Sequence, residues 1–70
     1  MDQTAVRVIM KMLRGKGISA ADIRSANESA AANGLRISEL QTALYFANNG
    51  DLPQARIMAG RAADAIQRLL

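Results

Sequence analysis

The sequence predicts an all-α domain of four short helices, and three observations predict it. Apolar residues recur at i, i+3, i+4 and i+7, and the strict alternation of a half-buried strand is missing. Glycine-bearing joints and capping residues divide the 70 residues into four segments of helical length. Half the residues are hydrophobic, but fourteen of them are Ala and only Tyr45 and Phe46 are aromatic, so the core has to be thin and built by close approach of helices.

A chain of this length buries only about 60% of the surface its unfolded form exposes, so residues 1–70 make a single domain. Burial and ordering entropy nearly cancel at this size, and small scaffolds usually add disulfides, a metal or a partner chain. With no Cys and no His, the first two routes are effectively closed. Close helix packing and oligomerisation remain, and the expected object is a small bundle, two helical hairpins, completed by self-association as a homo-oligomer.

The first helix is expected from Gln3 to Arg14. At about 100° per residue, Thr4, Arg7, Lys11 and Arg14 share an arc of roughly 80°, while Ala5, Val6, Val8, Ile9, Met10, Met12 and Leu13 spread over roughly 200°. So broad an apolar face predicts burial on two sides, as a central helix or as part of a dimer seam. Ser19 with Asp22 three residues on reads as a capping box opening the second helix, whose inward face is Ile23, Ala26 and Ala30 and which stops at Asn33-Gly34.

Ser38 with Gln41 predicts the third helix start, followed by Leu40, Ala43, Leu44 and Ala47 on one face, and Asn49-Gly50 ends it. Asp51 caps the fourth helix, Gln54 completes another box, and Pro53 occupies the first turn, where its missing donor costs nothing. Its buried stripe is Ala55, Ala59, Ala62, Ile66 and Leu69, with Met58 beside it. On the outer side Asp64 is placed to pair with Arg61 and Arg68.

The inventory argues against catalysis. Without His or Cys, a nucleophile would need Ser, Thr, Lys or a carboxylate, and none has a spacing that implies activation by a base. The six acids are scattered singly, and several are explained as helix-start residues. Zinc lacks its usual nitrogen and sulfur ligands and no oxygen-rich calcium loop is present. No enzymatic role, cofactor, metal or small-molecule substrate is expected.

The stretch LRGKGIS, residues 13–19, has the look of a phosphate loop, but such a loop needs a preceding strand, a longer glycine spacing and Ser or Thr directly after Lys. Here a helix precedes and Gly17 follows Lys16. It reads as a joint in which Gly15 and Gly17 let the chain turn and Ser19 starts the next helix.

The net charge is +3, and the balance is uneven along the chain, with Arg7, Lys11, Arg14 and Lys16 set against Asp2 alone in the first sixteen residues. Cations in register on one helical face suit a nucleic-acid backbone or an acidic protein partner, and Lys16 extends that stripe. No apolar run approaches the roughly 18 residues of a membrane span, and MDQTAVRVIMKML is interrupted by Arg7 and Lys11 and lacks a small-residue cleavage pattern. A soluble, cytoplasmic protein that does not engage a membrane is expected.

SELQTALYFANNGDLPQARIMAGRAADAI, residues 38–66, resembles a single tetratricopeptide repeat. The resemblance sets Ala43 at the small position of the first helix, Phe46 at an aromatic one, Gly50 in the turn, and Ala55 and Ala62 at the small positions of the second. Thr42 and Ala59 depart from the pattern, and residues 1–33 do not repeat it at the family's period of about 34 residues. The resemblance implies an adaptor that binds protein segments. GISAADIRSA and AAANGLRISELQTA are similar to the turn and second helix of a helix-turn-helix DNA reader, and the second of these implies base-edge contacts from Arg36, Ser38, Gln41 and Thr42.

These readings lead to a non-enzymatic protein-interaction module, self-associating, whose first helix offers Val6, Ile9, Met10 and Leu13 as its apolar partner face. The alternative is a small basic DNA-binding regulator that uses Arg7, Lys11, Arg14 and Lys16 with the helix from Ser38.

Overall fold

A computed structural model describes residues 3–70. Asp2, the acid set against the N-terminal cations, lies outside the described residues. The four expected helices are present as α1 (Gln3–Leu13), α2 (Ala20–Ala32), α3 (Ser38–Asn48) and α4 (Leu52–Gln67), with no strand among the described residues. Among those residues no helix is long and apolar enough to cross a membrane.

The helices close into a ring. α1 packs on α2 and α4, α3 packs on α2 and α4, α1 and α3 stand at opposite corners, and α2 and α4 touch lightly across the middle. The start of α1 lies beside Leu69 and Leu70, and its end beside Arg56 and Gly60, so α1 and α4 run antiparallel. The closest association is α3 with α4. Small side chains go with it: Ala55, Ala59, Ala62 and Ala63 of α4 are completely buried, as is Ala43 of α3. Ala at the contact lets helix axes approach toward the short end of the usual 8–10 Å range.

Around that seam only Ile9, Ile23, Leu40 and Ile66 are large side chains with essentially no exposure. Burying each contributes about 1.5–3 kcal/mol, and Val6, Leu13, Ile18 and Leu35, also buried, add to it on the same scale. The expected stripes of α2 (Ile23, Ala26, Ala30) and of α4 through Ile66 are all buried, and Ala63 joins them. Leu69 does not. It lies beyond the last residue of α4 and is 60% exposed, because the helix ends before the stripe returns to the core.

The joints are built as the sequence predicts, with two corrections. Ser19 Oγ accepts from the Asp22 N–H (3.2 Å), and the Asp22 carboxylate accepts from the Ser19 N–H (2.8 Å) and its hydroxyl (3.0 Å). α2 and α3 end alike: Gly34 and Gly50 take φ of +73° and +77°, which side chains disfavour. The N–H groups of Leu35 and Asp51 then reach back to the carbonyls of Ala30 (2.8 Å) and Phe46 (2.9 Å), closing a Schellman motif at each end. Asn33 Nδ2 and Asn49 Nδ2 each donate to the carbonyl four residues earlier, at 2.8 and 2.7 Å.

The first correction concerns α3. Its N-cap is Ile37, not Ser38, and no side chain caps it. Ile37 packs against the core, and its carbonyl already accepts from Leu40 and Gln41, so the helix starts one residue earlier than the hydroxyl would place it. The second concerns α4. Asp51 accepts from the Gln54 N–H (3.2 Å), but the reciprocal half of that box does not form, because the Asp51 N–H is already bound to Phe46.

Two outcomes follow from this packing. Ala59→Leu puts three extra carbons into the methyl seam and lowers stability by about 1–3 kcal/mol. Ile57→Ala, two residues away and 51% exposed, stays within about 0.5 kcal/mol, as urea denaturation of both variants will show. The Asp22 carboxyl is held below its ordinary 3.8, chiefly by the Ser19 backbone N–H and then by its hydroxyl. Its contribution is therefore complete above that ordinary value and is lost as the pH falls through the lower folded one. Asp22→Asn removes this dependence, so melting temperatures between pH 2 and 6 fall less steeply toward acid for the variant than for the parent.

Candidate functional site

α1 meets α4 along a seam whose solvent side carries most of the positive charge of the protein. α1 contributes Arg7 and Lys11 and the following loop Arg14 and Lys16, all exposed. α4 contributes Arg56 and Arg61, and its C-cap Arg68, also exposed. Seven of the nine cations thus belong to these two helices and the loop after α1. The remaining two, Arg24 and Arg36, share the α2 and α3 side with Asp22, Glu28 and Glu39. On the seam itself the acid among the described residues is Asp64; Glu39 reaches the far edge, beside Arg61 and Arg68.

Local chemistry decides how these charges sit. Asp64 does not take the place between Arg61 and Arg68 that helical spacing assigns it. Its Oδ1 accepts from Arg14 Nη2 at 2.7 Å, and this is the ion pair found among the described residues. The packing of α1 against α4 puts a guanidinium across the seam within reach, and a planar fork meets a carboxylate better than a neighbour on the same helix does. Both side chains remain about half exposed or more (48% and 64%), so the pair orients Arg14 more than it stabilises the fold.

Arg56 is fastened as well. Its Nε donates to the Ile18 carbonyl at 3.0 Å, tying the middle of α4 to the loop before α2. Arg14, Lys16, Arg56 and Asp64 border a shallow hollow of about 400 Å³ beneath that loop, where α1 ends and Gly17 turns the chain. The stretch LRGKGIS is therefore a joint between helices that also places two cations on the seam.

The apolar partner face expected on α1 is corrected by the fold. Val6, Ile9 and Leu13 are 2%, 1% and 2% exposed, and Met10 is half-buried. α2 and α4 of the same chain cover α1 on both sides, so Val6, Ile9 and Leu13 have no surface left to offer and Met10 keeps only part of its own. Val8, on the α2 side of the stripe, is the large apolar residue of α1 that stays exposed.

The residues considered for base reading lie elsewhere. Arg36, Ser38 and Gln41 are exposed and Thr42 is half-buried, its hydroxyl donating to the Ser38 carbonyl at 3.0 Å. Arg36 and Gln41 border a groove of about 610 Å³ between α2 and α3, with Leu35, Leu40 and Leu44 in its walls and Tyr45, 63% exposed, at its edge. Since α1 and α3 are opposite corners of the ring, the fold does not bring this set together with Arg7, Lys11 and Arg14.

Sequence reasoning missed Arg56, Arg61 and Arg68 as members of the basic face, because the last two were paired with Asp64 within the helix. The signal that finds them is the charge of each element taken separately: α4 with its two caps holds three arginines against Asp51 and Asp64. A double-mutant cycle on Arg14→Ala and Asp64→Ala is expected to return a coupling below about 1 kcal/mol that shrinks further with added salt. In comparison with known proteins, the chain matches no family model, no curated protein and no solved structure.

Proposed function

We propose that this chain is a non-catalytic binding module that engages an acidic macromolecular partner through the solvent side of α1 and α4. One observation carries the reading: seven exposed cations on α1, α4 and their flanking residues, with two acids beside them, Asp64, which is paired with Arg14, and Glu39 at the edge by Arg61 and Arg68. Cations scattered for solubility would be interspersed with acids over the whole surface. Here they are gathered on one side, which attracts an anionic partner and orients it on approach. The cytoplasm is the compartment that goes with this reading, since a chain without Cys needs no oxidising environment.

A second reading retains the protein-interaction module and self-association. Its support is the α2–α3 groove, where Tyr45 stands exposed over leucine walls, and not α1. The two readings part in sedimentation. A basic-face module is monomeric at tens of micromolar without a polyanion, whereas a dimer abolished by Tyr45→Ser moves the working surface to the groove.

Immobilised heparin tests the basic face directly. Lys11→Glu and Lys16→Glu change net charge as much as Arg24→Glu on α2, but they are expected to elute at clearly lower salt than Arg24→Glu, with unchanged melting temperature. Equal elution of all three variants removes the reading.

A further inference from the structure

The solvent side of α1 and α4 is specific enough in its chemistry to name the class of anion. Resting on the acidic-partner reading above, we infer that the partner is double-stranded nucleic acid, held by its phosphate backbone without regard to base sequence.

Geometry makes the first part of the case. At about 1.5 Å per residue, Arg7, Lys11 and Arg14 stand about 6 and 4.5 Å apart along α1, and Arg61 and Arg68 about 10.5 Å apart along α4. Packed helix axes lie about 8–10 Å apart, and Asp64 separates two groups of cations, Arg14, Lys16 and Arg56 on its α1 side and Arg61 and Arg68 on its α3 side, beside Glu39. A duplex offers two matching rows of phosphates, one on each side of a groove about 12 Å wide. The molecule is 31 Å in its longest dimension, which covers about nine base pairs at 3.4 Å per step.

Composition makes the second part. Single strands are held by stacking bases on aromatic rings, and the two rings of this chain, Tyr45 and Phe46, are on α3, at the corner opposite α1. Protein partners are held by an apolar, charge-poor centre inside a polar rim. This face departs from that pattern: its exposed large apolar groups are Val8 and Ile57, set singly among the cations, and Leu69 and Leu70 at the end where α1 begins. Phosphates accept from guanidinium N–H groups in parallel pairs, and five of the seven cations are arginine. Arg14 and Arg56 are oriented beforehand, by Asp64 and by the Ile18 carbonyl.

The experiment measures anisotropy with three labelled probes: a mixed-sequence 20-base-pair duplex, one of its strands alone, and a 20-residue poly-glutamate. Each is titrated with the full chain at 50 and 200 mM salt. The duplex is expected to bind with Kd of about 10⁻⁴–10⁻⁶ M near physiological salt, independent of its sequence. With about four phosphates neutralised, affinity falls about 100-fold between the two salt concentrations.

Arg7→Gln with Lys11→Gln weakens duplex binding at least about tenfold at 50 mM. Arg24→Gln with Arg36→Gln removes the same two charges from the opposite side and leaves it within about twofold. Asp64→Asn, which removes the acid on the seam, tightens it. A duplex that binds no better than the single strand, or less well than poly-glutamate, overturns the nucleic-acid inference and leaves an acidic partner standing. Equal losses in the two double variants overturn the use of this face. No binding to any probe at 50 mM takes down both the inference and the reading beneath it.

Discussion

The close approach of α3 and α4 across a seam of alanine methyls is the contact on which the rest of this small protein depends. Four fully buried alanines on α4 make the helix smooth enough to lie tightly against its neighbour, and dispersion between backbones replaces the large side chains that the chain lacks. Larger residues in the seam would separate the axes and cost contacts along their whole length.

That same constraint shapes the outside. A core made of alanine methyl groups and eight larger aliphatic side chains takes up Val6, Ile9 and Leu13 of α1. What remains to project outward from α1 and α4 is mostly polar, and its charged members are cations apart from Asp64. The ion pair between Arg14 and Asp64 is a product of the packing and not its cause, since both groups remain well solvated. The joints behave independently of the seam: Asn-Gly ends α2 and α3 by the same local hydrogen bonds, whatever the helices pack against.

Much of the fold was legible for that reason. Caps, left-handed glycines and helical periodicity are satisfied within a few residues of chain, so Ser19, Gly34, Gly50 and Asp51 could be assigned their places directly. The misses fall where a local preference meets a tertiary contact. Ser38 lost its capping role to Ile37, whose side chain is drawn to the core, and Asp64 left its own helix for an arginine fifty residues away. Of the candidate surface, Arg7, Lys11, Arg14 and Lys16 were visible as a stripe. Their companions on α4 were not, because nothing in the order of residues says which helices become neighbours.

By itself, then, the sequence determined four helices, the ends set by local caps and glycines, and which face of each is apolar, because those properties depend on backbone geometry and on residues a turn or two apart. The closure of the ring, the burial of α1 by its own chain, and the gathering of cations from both ends of the chain onto one side were decided only by tertiary structure. They depend on which pairs of faces pack best, a comparison among contacts between distant residues that no short window of sequence contains.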